Sequence, residues 1–300
     1  MFRVWERRVR LWSGLIVAAF VIGHLLNHAS SIVSIDLAEQ TRRALAVFWH
    51  QRWAQALLYG SFIVHFIAVL AVLYRRRTLR MPAWEMTQML LGGAMIPLLA
   101  AHVVATRGLY GEFDLTPDYA RTAFMLWSAP DIVIKQTVLT LVVWLHVCFG
   151  VHFWLRLKPW YRNSVAFWYA LAIVVPVLAL VGFWRAGDQL HSLATRDGYV
   201  GQLFVGMPDL PIALAFVRQG EQFIQLVALV ALLSVLTARA VRHARAKRLE
   251  TVQLRMSGGR EINTLPGRSV LESLRLADVP HASVCGGRGR CTTCRIRVGA

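Results

Sequence analysis

Apolar positions along this chain fall into long unbroken runs, not into short alternations or one-sided stripes. The runs cover roughly 11–33, 53–75, 86–106, 134–156, 164–186 and 212–238. At about 1.5 Å per residue, each is long enough to carry a helix across the hydrocarbon core of a bilayer. The pattern therefore predicts an all-α membrane bundle of six transmembrane helices. Beyond Arg239 the pattern changes to polar and charged, with short periods. Val252 to Met256 alternates as a strand does, Gly258-Gly259 reads as a hairpin turn, and Glu261 to Leu265 reads as the return strand. Ser269-Val-Leu-Glu272 is a capping-box opening for a short helix running to about Ala277. The expected organisation is an arm at 1–10, a membrane domain at 11–238, a basic linker at 239–249 and a second domain at 250–300.

Composition agrees with this division: 56% of residues are hydrophobic, high for a soluble globular chain. The formal net charge of +17 would point to nucleic acid in a soluble protein, but here its placement follows membrane topology and implies no nucleic-acid partner. Arg3, Arg7, Arg8 and Arg10 precede the first run, and Arg75, Arg76, Arg77 and Arg80 follow the second. Arg156, Lys158 and Arg162 follow the fourth, and Arg239, Arg242, Arg245, Lys247 and Arg248 follow the sixth. The alternate loops carry most of the acids: Asp36 and Glu39, then Glu112, Asp114, Asp118 and Asp131, then Asp188, Asp197 and Asp209. Both termini are thus expected in the cytoplasm. The first run is long and lacks a small-residue cleavage site, so it reads as a retained helix and not as a signal peptide.

Histidines are the chemistry in these runs. His24, His65, His102, His146 and His152 lie within them, and His28 lies near the outer end of the first. An ionisable side chain in hydrocarbon is costly and ordinarily has a partner or a function. A neutral imidazole bonded to a neighbouring helix accounts for one such residue, but poorly for one in each of four consecutive runs. Counted from the cytoplasmic edge, His24 lies roughly 20 Å and His102 roughly 24 Å deep, whereas His65 and His146 both lie about 16 Å deep. Two pairs result, each on helices that run in the same direction and are diagonal neighbours in an up-down bundle. Facing imidazoles can ligate one haem iron from both sides. Two b-type haems are therefore expected, an outer one on His24 and His102 and an inner one on His65 and His146.

Other residues admit two readings. Gly14, Gly92 and Gly93, at the inner level, and Gly60, at the outer, either give room to a porphyrin face or serve ordinary helix contacts. Arg107 either pairs with an outer haem propionate or is an interfacial arginine. His28 shares a helix face with His24, so it is an alternative ligand or a propionate partner. His152, six positions after His146, points elsewhere and is a lesser candidate. The segment Phe20-Val-Ile-Gly-His24-Leu-Leu-Asn27, with His65, Ala101-His102-Val-Val-Ala-Thr-Arg107 and Leu145-His146, resembles the haem-binding helices of the di-haem b membrane anchors of succinate dehydrogenase and fumarate reductase. The resemblance covers about residues 8–158 and favours His24 over His28. A sixth span and a fused second domain depart from that family.

Four cysteines are present, of which Cys148 lies in the fourth run and reads as a small core residue. Cys285-Gly-Gly-Arg-Gly-Arg-Cys291-Thr-Thr-Cys294 is different: closely spaced cysteines in a cytoplasmic segment point to metal and not to disulfides. A zinc ribbon would need two short knuckles, and one is present. Strand, turn, strand, helix, cysteine loop and a further strand from Arg295 is the order of the β-grasp ferredoxins, and the spacing is similar to their 2Fe–2S loop. The 250–300 segment is accordingly expected to be a truncated β-grasp domain. Its fourth cluster ligand would lie beyond Ala300.

Six spans with intramembrane histidines followed by this cysteine loop resemble the N-terminal half of bacterial class III adenylate cyclases that carry a ferredoxin domain. The resemblance implies a redox sensor in the bacterial plasma membrane whose haems and 2Fe–2S cluster regulate a cyclase domain absent from this chain, with a homodimer formed through that domain. It implies no cyclase activity in this chain alone. A quinone or quinol is the expected electron partner, and a quinone-linked oxidoreductase serving a soluble acceptor is the alternative reading.

Overall fold

In the computed structural model, residues 2–76, 78–256 and 258–281 are described, with side chains from residue 5 onward. Six of its helical segments are long and apolar enough to cross a membrane: Trp5–Ser30, Arg52–Arg75, Ala83–Glu112, Pro130–Leu155, Val165–Ala194 and Leu210–Ala246. The protein is thus a multi-pass membrane protein of helical architecture. Most of the helices run further than the apolar runs, because backbone hydrogen bonding continues through interfacial charge, but the first ends at Ser30, three residues short of the run expected to 33. The last extends to Ala246, so the basic stretch from Arg239 to Arg245 is helical.

The elements in chain order are α1 (Phe2–Ser30), α2 (Ile35–Trp49), α3 (Arg52–Arg75) and α4 (Ala83–Val103). A π turn, Val104–Gly108, continues α4 into α5 (Leu109–Glu112), followed by α6 (Tyr119–Leu126), α7 (Pro130–Leu155), α8 (Pro159–Asn163) and α9 (Val165–Ala194). Then come α10 (Tyr199–Leu203), α11 (Leu210–Ala246), β1 (Val252–Arg255), β2 (Glu261–Thr264) and α12 (Val270–Leu276). The chain divides into two compact units, one of Met1–Val69 and Trp84–Val230, the other of Leu70–Ala83 and Ala231–Ala300.

In the first unit, α1, α7 and α9 pack closely, whereas α3 and α4 stand further from their neighbours. Small residues decide this. A Cβ at Gly182 would overlap the His28 carbonyl, and one at Gly187 would overlap the Trp127 ring, so α9 approaches its partners only because these positions lack side chains. Tryptophans tie α9 to its neighbours: Trp144 Nε1 donates to the Ala172 carbonyl at 2.8 Å and Trp127 Nε1 to that of Phe183 at 3.2 Å. Pro176 lies inside α9 without ending it.

Over the acid-rich end, α2 and α6 fold onto α9. Ser34 caps α2 by accepting from the Leu37 N–H at 3.0 Å, and Asp118 caps α6 by accepting from that of Arg121 at 2.7 Å. Ala38, Tyr119, Ala123, Ala186 and Leu190 form the core beneath. The Glu39 carboxylate accepts from Arg42 and Arg43 and from the Tyr119 N–H. Burial alone would raise its pKa, but these donors bring it down from about 4.5 to about 2.

In the second unit, β1 and β2 pair antiparallel, with Leu254 opposite Ile262 and Arg255 opposite Glu261. Met256 closes the turn through the Arg260 carbonyl, and Gly259 takes the positive φ of 79° that the turn requires. The strand expected to reach Met256 therefore ends one residue earlier. The Ser269–Glu272 capping box is formed in full. Ile262, Leu274 and Val279 make a small core, beside which Thr264 and Ser273 share a buried hydroxyl contact of 2.7 Å. Arg80 pairs with Asp278 at 3.2 Å and also donates to the carbonyls of Arg275 and Leu276, satisfying the α12 C-terminus. Among the described residues the sheet has two strands. Cys285, Cys291, Cys294 and the strand expected from Arg295 lie outside the described residues.

Candidate functional site

In four of the spans histidines lie well inside the helix, and rings of two pairs of them come close to one another. His65 on α3 and His146 on α7 have ring centroids 6.4 Å apart and planes at 81°. His24 on α1 and His102 on α4 are 5.8 Å apart with planes at 76°. Two imidazoles that share one metal through Nε2, at about 2 Å per bond, have centroids roughly 6 Å apart. The separations therefore suit a six-coordinate iron held from both sides.

Hydrogen bonding sets which nitrogen is offered. His65 Nδ1 lies 3.1 Å from the Arg10 carbonyl, with Ser13 Oγ at 3.3 Å. His146 Nδ1 lies 3.2 Å from the Gln88 carbonyl. A carbonyl oxygen can only accept, so Nδ1 carries the proton in both rings and Nε2 keeps its lone pair. A metal-binding histidine needs this second-shell arrangement. In the other pair, His102 Nδ1 lies 2.9 Å from Gln136 Oε1 on α7. His24 stacks on Phe20 at 5.7 Å with planes only 11° apart.

The glycines serve these rings. A Cβ at Gly14 would come within 3.1 Å of His65 Cε1, and one at Gly92 within 3.1 Å of His146 Cε1. Of the two readings drawn from sequence, neither names this contact: the space is taken by the imidazole itself. Gly60 and Gly93 have nothing within 4 Å of an added Cβ.

The remaining candidates part company. His28 turns to Tyr119, with Nδ1 3.2 Å from its hydroxyl, while that hydroxyl donates to Ser31 Oγ at 3.2 Å. Burial pushes the Tyr119 hydroxyl up to about 12, with the Ser31 bond opposing, so it stays protonated. His28 also meets the His24 ring edge-on at 4.8 Å. His152 lies against Tyr161, 3.1 Å from its hydroxyl, away from His146's partner. Arg107 sits in the π turn and donates to Gln55 Oε1 at 3.3 Å. Burial and the nearby Arg107 and Arg42 lower the pKa of His50. Glu221 on α11 lies 3.1 Å from Lys135 Nζ on α7.

Sequence reasoning missed the acceptors behind the histidines. Gln136 was within reach, being an amide buried in an apolar run; the Arg10 and Gln88 carbonyls were not, since every residue has one. Among the described residues, no group of three or more His, Cys, Asp or Glu is gathered to hold a metal ion. No protein-family model matches this sequence, and no curated protein and no solved structure is similar to it.

Proposed function

We propose that this protein is a di-haem b-type membrane electron carrier, with His65 and His146 holding one haem and His24 and His102 the other. The observation that carries the reading is the pair His65 and His146. Two imidazoles on different spans face each other at 6.4 Å, each with Nδ1 on a backbone carbonyl. The loose packing of α3 and α4 supports it, since a flat cofactor needs room between helices.

When bound, haem supplies reversible one-electron chemistry of its iron. The chain's residues fix the rings and, through the carbonyls on Nδ1, keep Nε2 of His65 and His146 unprotonated. The Arg-rich helix ends support a cytoplasmic location for both termini in a bacterial plasma membrane. The cysteine loop at 285–294 supports a 2Fe–2S ferredoxin as the cytoplasmic acceptor. The resemblance to ferredoxin-bearing adenylate cyclases supports regulation of a cyclase as the output.

Purified membranes from haem-replete expression should show dithionite-reducible b-type absorption, with two haems per chain by pyridine haemochrome. His65→Ala and His102→Ala should each remove one signal, and the double variant both. Absence of b-type absorption in the parent protein would overturn the proposal.

A further inference from the structure

The two histidine pairs are held differently. His65 and His146 are fixed by backbone carbonyls of α1 and α4. His102 is fixed by a side chain, Gln136 of α7, and its own helix packs closely on no other span. Something else must set the distance between α4 and α7 at this level, and α11 meets both helices there.

On the α4 side, Gly220 of α11 lies against Val104, two residues beyond His102 in the π turn. A Cβ at 220 would stand 2.7 Å from Val104 Cγ1. Gly108, at the end of the same turn, has the Phe216 ring 3.5 Å from where its Cβ would be. On the α7 side, Lys135, the neighbour of Gln136, donates to Glu221 Oε1 at 3.1 Å, and Gln225 donates to the same oxygen at 3.0 Å. Three links thus close a triangle: His102 to Gln136, Lys135 to Glu221, and Gly220 to Val104. Between this cluster and Val230, α11 presents apolar side chains outward, Phe223, Leu226 and Val230 among them. Its other holds are at its far end, where Arg239 and Arg242 donate to the Arg76 carbonyl at the end of α3, so at the level of His102 this cluster is where it grips.

We infer that Glu221, through Lys135, is a positioning residue for His102: it clasps α11 onto α4 and α7 and so holds the Gln136 amide on the His102 ring. This rests on the haem reading above. Its consequence is selective, because the inner pair has its own supports and serves as an internal control.

The Cβ positions of residues 104 and 220 are 3.5 Å apart, within the range a disulfide spans. In the full chain, Val104→Cys with Gly220→Cys should therefore cross-link in membranes under mild oxidant, read by mass spectrometry of the linked peptides. Adding Glu221→Ala should lower the yield several-fold, with or without haem. In redox titrations and low-temperature spectra, Glu221→Ala alone should shift or lose the outer signal and spare the inner, and Glu221→Asp should keep both. The cross-link should restore the outer signal to Glu221→Ala. Unchanged cross-linking in Glu221→Ala, an unchanged outer signal, or equal loss of both signals would each overturn the inference. A parent protein that cross-links but lacks b-type absorption would overturn the haem reading and leave the clasp standing.

Discussion

At the scale of residues, the protein spends its polar groups on holding rings still. Gly14 illustrates how little room is left: a Cβ there would meet His65 Cε1 at 3.1 Å, and a larger side chain has nowhere to go without turning the ring. Gly14→Leu should therefore abolish the inner b-type signal and leave the outer one, as read by reduced-minus-oxidised spectra. Glu39 makes a second prediction, away from the histidine pairs. Its pKa in the folded protein is about 2, below the ordinary value near 4.5. Its contribution to stability is complete above the higher value and is lost as pH falls towards the lower. Because Glu39 is part-exposed at the surface, the contribution is on the order of 1–2 kcal/mol. Proteolysis of the 31–51 segment should increase between pH 4.5 and pH 2 in the parent, and Glu39→Gln should be susceptible already at neutral pH. The histidines were legible in the sequence because ionisable groups stand out against apolar runs. Their acceptors were legible only where a side chain supplied them, as at Gln136.

At the scale of elements, six spans could be read from hydropathy because a bilayer imposes a minimum apolar length. The pairing of histidines by depth followed from the fixed rise of a helix and the alternation of direction. What hydropathy could not give were α2 and α6, which are amphipathic and lie outside the apolar runs, although Ser34 and Asp118 marked their starts. Nor could it give the intimacy of α1 and α9, which depends on Gly182 meeting a backbone carbonyl. Gly182→Val should force these helices apart and cost about 1–3 kcal/mol, the usual range for overpacking. A lower midpoint for thermal unfolding in detergent would show it. A matching change at Gly201, where an added Cβ meets nothing, should leave the midpoint unchanged.

At the scale of the whole molecule, the sequence presented two kinds of pattern, and the hairpin and capping box appear where the short-period pattern placed them. On the proposed reading, Cys285, Cys291 and Cys294 would be the cluster's ligands. Mixed Cys→Ser variants should lose any iron–sulfur electron paramagnetic resonance signal while keeping both b-type signals. The carbonyls behind His65 and His146 carry a last consequence, for assembly. The protons on those rings are assigned by the chain's own backbone, so the metal-binding nitrogens are offered before any iron arrives. On the proposed reading, haem acquisition would then be a docking event and not a folding event. Protein made without haem should keep its helical circular dichroism, and haemin added afterwards should fill the inner pair without changing it.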